Sequence, residues 1–457
     1  MAFLLTVLAV TLSCFPIARG LTHYPPNSSN INNLAYVING TSAPGIYNSS
    51  DTPDAEYGIY NWCNMPHVRA REYQKPSSCY ELAYVEVIQR HQKRTPYASN
   101  TFFIEDIPWY CNQSGVLAYL QVFAYNSNNP FQFSVGPGFV NTTCQLPQIT
   151  AEGLTDANTH GRDIASVYKN ASIHQLIPTC YNASTVAFRV SNNVITSQVA
   201  AGLVQGIFPG LQHVDVAIQM DAYDSLEPAY SCPGGAAIRT AYTGTDPDWT
   251  LHLNDSASLY AKLDSVSGTA ENDTAGWHTS WDHYYDNLSA KQCHGKSLPC
   301  SVNATSNCVT QEEANEVYRL GNYEYDYYFR SQPNSTLYSA LTYGAWVLEL
   351  QGHLKDKMDG KSDMVYVHNV AHDGSISPLL GILQISTMVW PGMGSEVVFE
   401  LYKDTKGAWY IRVLWNGQPM QTSTPLGKLD MVPIQDYFDY ITETIGSGSA
   451  ILDMCNA

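Results

Sequence analysis

Two short stretches hold the side chains that could do chemistry. "IQRHQKRTPYAS", residues 88–99, surrounds His91 with Arg90, Lys93 and Arg94, while "HNVAHDG", residues 368–374, sets His372 beside Asp373. The chain has 23 Lys and Arg against 41 Asp and Glu, a formal charge of −18, so gathering positive charge around one imidazole calls for a reason. A guanidinium stays charged and its fork matches phosphate, which suits it to the equatorial oxygens of a phosphoryl group in transfer. An imidazole inside such a ring can attack phosphorus and carry the phosphoryl group covalently. An adjacent His and Asp can bind an oxyanion and protonate a departing oxygen. Each stretch by itself also fits a plainer alternative: a solvated basic loop with a surface histidine, and a turn aspartate beside a structural histidine. His368 and His372, four residues apart, would suit a metal, but no HExxH, acidic ligand cluster or CxxC accompanies them; no metal ion or other cofactor is expected.

Such groups need rigid strand tips. Leu82–Ile88 is β-branched and short, a strand ending at Arg90. Thr185–Val190 fits a second strand, followed by a helix through "TSQVAAGLVQGIF"; Met364–Val367 fits a third, running into "HNVAHDGSISPLLGIL". Strand, polar tip and helix in that rhythm give an α/β fold, with a mostly parallel central sheet flanked by helices and ligands bound beyond the carboxyl ends of the strands. Residues 21–80, rich in Pro, Asn, Ser and Tyr, read as an extended arm held by disulfides. The sheet domain takes 81–215 and 334–457, with a smaller, mainly helical domain inserted at 216–333. Leu337, Leu341, Gly344 and Leu348 share one helical face where the main domain resumes. "GSEVVFELYKDTKGAWYIRVLWNGQ" reads as two strands joined around Lys406-Gly407.

Together the two stretches resemble the histidine phosphatase superfamily in its branch of secreted acid phosphatases and phytases. "RHQKRTP" is similar to the R-H-G-x-R-x-P signature, and His372-Asp373 to the second, "HD" signature. "QITAEGLTDANTHGRDIASVY" resembles the helix after the first strand, and "FRVSNNVITSQVAAGL" the segment carrying a third active-site arginine. "MVPIQDYF" resembles the tail. The resemblance implies His91 as nucleophile, Asp373 as proton donor, and Arg90, Arg94, Arg189 and His372 as the phosphate-binding ring. Two positions depart from the pattern. Gln92 stands where the signature has Gly, and Asn193-Val194-Ile195 stand where a second arginine is usual, leaving Arg189 to serve alone. The implied activity is a metal-independent acid phosphomonoesterase acting on small phosphate monoesters. A phytase is the second reading, with Lys93, Arg239, Lys262 and Lys291 as the few cations for further phosphates. A catalytically weakened glycoprotein that binds phosphorylated ligands is the third.

Composition bounds the setting. The acidic balance argues against nucleic acid or anionic membranes as partners. "MAFLLTVLAVTLSCFPIARG" reads as a secretory signal peptide (residues 1–20), its apolar run too short to span a bilayer comfortably and Ala18 and Gly20 suiting a cut before Leu21. Removing Cys14 with it leaves ten cysteines without CxxC spacing, so disulfides are expected; the spacing does not fix their pairing, and Cys63–Cys79, Cys111–Cys144 and Cys293–Cys308 are near-neighbour candidates. About a dozen N-x-S/T sequons from Asn27 to Asn334 suit a secreted, N-glycosylated protein.

Overall fold

The β-branched and aromatic stretch before the first signature forms an eleven-residue strand, β1 (Tyr80–Arg90). The structure, a computed structural model, describes residues 21–48, 54–104, 109, 121–125, 132–135 and 146–457. The other strands of the main sheet are β2 (Gln121–Tyr125), β3 (Gln132–Val135), β4 (Val186–Val190), β5 (His213–Ala217) and β6 (Tyr366–Ala371). They are followed by β7 (Glu396–Asp404), β8 (Trp409–Trp415), β9 (Gln418–Pro419) and β10 (Val432–Pro433). Their order is β9-β8-β7-β1-β6-β4-β5-β2-β3, with β10 against β8. β1, β6, β4, β5 and β2 run parallel, whereas β7 returns antiparallel on β1. The expected mostly parallel core flanked by helices is therefore present, with antiparallel strands at both edges, β7 and β8 beyond β1 and β3 beyond β2.

Alternation along β1 explains the two layers. Val85 and Val87 face one apolar cluster; Tyr84 and Ile88 face the other. Against the Val85 face pack α1 (Ala151–Tyr168) and α2 (Val194–Ile207). Gly161 lets these two helices touch, since a Cβ there would lie 2.1 Å from the Leu203 carbonyl oxygen. The Ile88 face carries α3 (Asp282–Cys293), α4 (Gln311–Asp326), α5 (Ser335–Met358), α6 (Asp373–Ile382) and α7 (Ile434–Ile445). Three more helices, Pro233–Gly244, Pro247–Asp255 and Ala257–Ser267, precede α3. Trp249 and Trp281 from this helical stretch belong to the same buried cluster as Val397 and Phe399 of β7.

The pairing that the sequence leaves open is decided by the fold, and it differs from the near-neighbour candidates. Cys63 pairs with Cys293 rather than Cys79, tying the N-terminal arm to the end of α3. Cys308 pairs with Cys300 rather than Cys293, because a short hairpin sets those two side by side. Cys232 pairs with Cys455. Cys79 and Cys180 are exposed thiols. The expected Cys111–Cys144 pair and the signal peptide lie outside the described residues. No helix among the described residues is long and apolar enough to cross a membrane.

Candidate active site

β1 and β6 are parallel neighbours with Arg90 level with Ala371. The residues that follow, His91 on one side and His372-Asp373 on the other, therefore leave the sheet at the same carboxyl end, where α/β sheets bind ligands. The His91 backbone is clamped: its N–H donates to the Ala371 carbonyl at 3.0 Å, and its carbonyl accepts from the Gly394 N–H at 3.0 Å. Its side chain is fully buried, with Nδ1 3.0 Å from the Gln92 carbonyl oxygen. A carbonyl only accepts, so Nδ1 carries the proton and Nε2 keeps its lone pair. Nε2 has no hydrogen-bond partner among the described residues.

Two arginines and a second histidine stand close to that ring. The Arg90 guanidinium stacks over Trp62 at 4.7 Å, and its Nε lies 3.4 Å from Asp373 Oδ1. Arg94 donates to the Asp286 carboxylate, 3.0 Å and 3.1 Å to its two oxygens, and lies 4.1 Å above the Tyr97 ring. The His372 ring is 5.4 Å from that of His91, centroid to centroid. Burial, then the charges of Arg90, Arg94 and His372, push the His91 imidazole well below the ordinary histidine value. That direction favours the neutral ring, the form in which the Nε2 lone pair is available.

Asp373 opens α6 with both carboxylate oxygens engaged. Oδ2 accepts from the Tyr325 hydroxyl at 2.8 Å and the Trp390 indole N–H at 2.5 Å, while Oδ1 faces Arg90. Burial acts to raise its pKa, but Arg90, the hydrogen bonds from Trp390 and Tyr325, and Arg94 outweigh it and hold the carboxyl below its usual value. Asp286, Tyr325, Trp390 and Trp62 went unread in the sequence. They lie 192, 48 and 17 residues from the groups they bond in the first three cases, and no local motif marks them.

The structure brings together five of the six expected site residues: His91, Asp373, Arg90, Arg94 and His372. Arg189 is the exception and requires a correction. In register it lies opposite Asn369, which in turn is level with Ile88, two residues short of the Arg90–Ala371 tip. Its guanidinium is held instead by Glu349 at 2.8 Å, Asp224 at 3.1 Å, Ser225 Oγ at 2.9 Å and Gln219. Gln92, where the signature has Gly, is bonded away from His91 as well. Its amide turns to His160 Nδ1 at 3.2 Å and occupies space left by Gly394, where a Cβ would lie 2.4 Å from the Gln92 Oε1. His368 is bonded within the sheet layer, to Tyr366 at 2.6 Å and Gln89 at 2.8 Å. Among the described residues, no group of three or more His, Cys, Asp or Glu side chains is arranged to hold a metal.

A family model, the histidine phosphatase superfamily (branch 2), matches residues 81–416. The chain belongs to that superfamily. Counting factor 60 of Dictyostelium discoideum is 24% identical over 380 residues, 78% of this chain and 85% of that relative. Human 2-phosphoxylose phosphatase 1 is 20% identical over 489 residues, 99% of this chain and 98% of its own. Among solved structures, the apo phytase of Hafnia alvei superposes with a TM-score of 0.54 at 16% identity, covering 82% of this chain and 99% of that one. The phytase of Citrobacter braakii gives 0.53 at 14%, covering 81% and 99%. These likenesses show the histidine phosphatase fold, and membership of the superfamily supports a phosphatase.

Proposed function

We propose that the protein is an acid phosphomonoesterase working through a phosphohistidine at His91. The observation that carries this is the His91 ring itself: neutral, fixed by its own Nδ1–H, and presenting a free Nε2 between two arginines and a histidine. In the first step Nε2 forms a bond to phosphorus as the ester P–O bond breaks, and Asp373 gives its proton to the departing oxygen. In the second, Asp373 as carboxylate takes a proton from water, which attacks phosphorus; the P–N bond breaks and phosphate leaves. Arg90, Trp390 and Tyr325 favour the Asp373 carboxylate, so the proton comes with the substrate. A monoester enters in acid as a monoanion, its oxygens draw Arg90 away from Asp373, and the added negative charge raises the carboxyl so that it takes up that proton. The side chains alone supply nucleophile, acid and charge neutralisation, and no metal is required.

The leaving group is proposed to be a neutral, hydroxyl-rich alcohol such as a sugar. Beside Gly374 opens a cavity of about 460 Å³ lined by Tyr325, Tyr328 and Tyr338 together with Asp282, Glu324 and Arg239. Burial and the neighbouring carboxylates Asp286, Asp373 and Glu324 push Asp282 up to about 7, so that in acid it donates as a neutral hydroxyl. Aromatic faces and such polar groups suit a sugar, the kind of substrate that the name 2-phosphoxylose phosphatase gives its bearer. A phytase would need cations there. Of the four candidates, Lys93 is held by Asp156 and Glu152, Lys262 by Asn307 and Lys291 by Asn287, leaving Arg239 at the cavity.

The decisive test is steady hydrolysis of p-nitrophenyl phosphate with an alkali-stable, acid-labile label trapped on the protein. Hydrolysis without that label overturns the phosphohistidine. Binding without hydrolysis would favour the weakened phospho-ligand-binding reading. Higher kcat/KM on phytate than on sugar phosphates would overturn the leaving-group reading. Secretion and N-glycosylation belong to the same proposal. The disulfides fit an oxidising compartment, and sequon residues Asn27, Asn39, Asn182, Asn254 and Asn334 are exposed, whereas Asn287 is buried and should stay unmodified.

A further inference from the structure

The register that leaves Arg189 short of the strand tip sets other side chains there. Ser191 follows β4, and its Oγ lies 2.7 Å from His372 Nε2. Glu227 Oε2 lies 3.3 Å from the same nitrogen. A carboxylate, not a third guanidinium, thus stands on this flank of the nucleophile.

The segment that delivers Glu227 is tightly held. Asp224 Oδ1 accepts from the Leu226 N–H at 2.9 Å and from Arg189 at 3.1 Å. Ser225 Oγ donates to Glu349 at 2.7 Å, and the Leu226 carbonyl accepts from Ser375 Oγ at 2.7 Å and Tyr343 at 3.2 Å. Pro228 follows and restricts Glu227 to extended backbone. Arg189 therefore reaches the site indirectly, by anchoring this segment.

The hydrogen-bonding consequence is specific. A carboxylate oxygen only accepts, and the Ser191 hydroxyl can accept while donating its own proton to Glu227, so His372 Nε2 carries a hydrogen. Nδ1 is the nitrogen left for an anion at His91, and with Nε2 protonated it can donate only as imidazolium. We propose that Glu227 is a positioning residue that acts through His372, holding Nε2–H so that the doubly protonated ring binds the substrate phosphate through Nδ1–H. The arrangement puts on His372 the positive charge that Arg189 does not bring. The inference rests on the phosphomonoesterase reading above, and it makes phosphate affinity itself acid-dependent.

The other charged or titratable groups here are Arg90 at the end of β1, His91, Arg94 and Tyr97 beyond it, Asp373 on α6 and Asp224 on the delivering segment. Burial works against ionisation of Glu227, but its bonds to His372 and Ser191 hold its carboxyl below the usual value. His91 and Asp373 also lie below their ordinary values and Tyr97 above its own. A titrating anion would blur the reading, so the probe is inorganic sulfate, which has no proton to lose in this range.

Sulfate affinity is measured by calorimetry against pH, from about 4 to 8 to bracket the histidine range, on the purified protein and on Glu227→Gln and Glu227→Asp. In the natural protein the affinity should fall as pH rises through one protonation. In Glu227→Gln that midpoint should lie about one pH unit or more lower, the usual effect of losing a carboxylate beside a cation. At the natural midpoint the variant should then bind sulfate up to about tenfold more weakly; Glu227→Asp should fall between. An unshifted midpoint, or an equal loss at every pH, overturns the role of Glu227. If the natural protein hydrolyses p-nitrophenyl phosphate yet Glu227→Gln keeps its midpoint, only this inference fails. If the natural protein neither binds sulfate nor hydrolyses the ester, the phosphatase reading fails with it.

Discussion

Arg94 and Arg189 make an instructive pair. Both are largely buried, both are ion-paired to carboxylates, and both come from segments that resemble arginine-bearing parts of the family signatures. Arg94 sits in the loop beyond β1, where the chain has left the sheet and turned across the tip, and its charge is felt by His91. Arg189 is still inside β4, two residues below the tip, and its charge is absorbed by Glu349 and Asp224. In a strand every two residues move a side chain about 6.6 Å along the sheet. An arginine two residues early is thus removed from the anion site, however similar the surrounding letters are. Beside His91 the β1 side thus carries guanidiniums, whereas the β4 side carries a histidine with a serine and a carboxylate against it.

That contrast can be broken or sharpened by substitution. His91→Ala should have the largest effect, a fall in kcat of the order of 10⁴-fold or more, as for other covalent nucleophiles; near-natural turnover would remove the β1 side from the chemistry. Asp373→Asn should cost about 10²–10⁴-fold on alkyl phosphates. The burst of His91 phosphorylation by p-nitrophenyl phosphate should suffer much less, because p-nitrophenolate barely needs a proton. Equal losses in single-turnover bursts on the two substrates would show that Asp373 is not the acid.

The two arginines should then separate. Arg94→Lys keeps the charge but loses the fork, and should lower kcat/KM by about 10²-fold. Arg189→Lys should change it by less than about tenfold, since that side chain only anchors the Glu227 segment. Arg189→Met should show instead as a stability loss of about 3 kcal/mol in denaturant titration, the cost of leaving paired carboxylates without their cation. Comparable kinetic losses at both arginines would mean that the register argument is wrong.

The pH profile tests the electrostatics. A histidine whose folded pKa is lowered loses its lone pair only when pH falls through that lowered value. Activity that depends on neutral His91 should therefore persist well below pH ~6.5, where free imidazole would already be protonated. The optimum of kcat/KM should lie at about pH 4–6, and an acid limb near pH ~6.5 would show that Arg90 and Arg94 do not act on His91 as their placement implies. The smallest effect belongs to Gln92→Gly. The amide faces His160 rather than the substrate, so activity should change by less than about threefold, with a stability loss of about 1 kcal/mol from the lost bond and backbone freedom.

Much of this could be read before folding was considered. The alternation of Leu82–Ile88 specifies a strand with two apolar faces, and the hydrogen-bonding types of His91, Arg90, Arg94, His372 and Asp373 specify the chemistry once they meet. These are local properties: side-chain period, backbone preference and the charge that a residue type carries. What neighbours cross the gap between distant segments is not local. Cys63 meets Cys293 across 230 residues, Arg94 meets Asp286 across 192, and Asp373 receives its hydrogen bonds from a tyrosine and a tryptophan that no motif marks. Whether an arginine reaches a phosphate depends on its height in the sheet, which is set by pairing with other strands and not by its own sequence. The residues proposed as nucleophile and acid, and two of the cations beside them, were thus legible in the chain alone. The fate of Arg189, the direction of the Gln92 amide and the placing of Glu227 against His372 were decided by tertiary packing, because each depends on a partner held in place by the sheet.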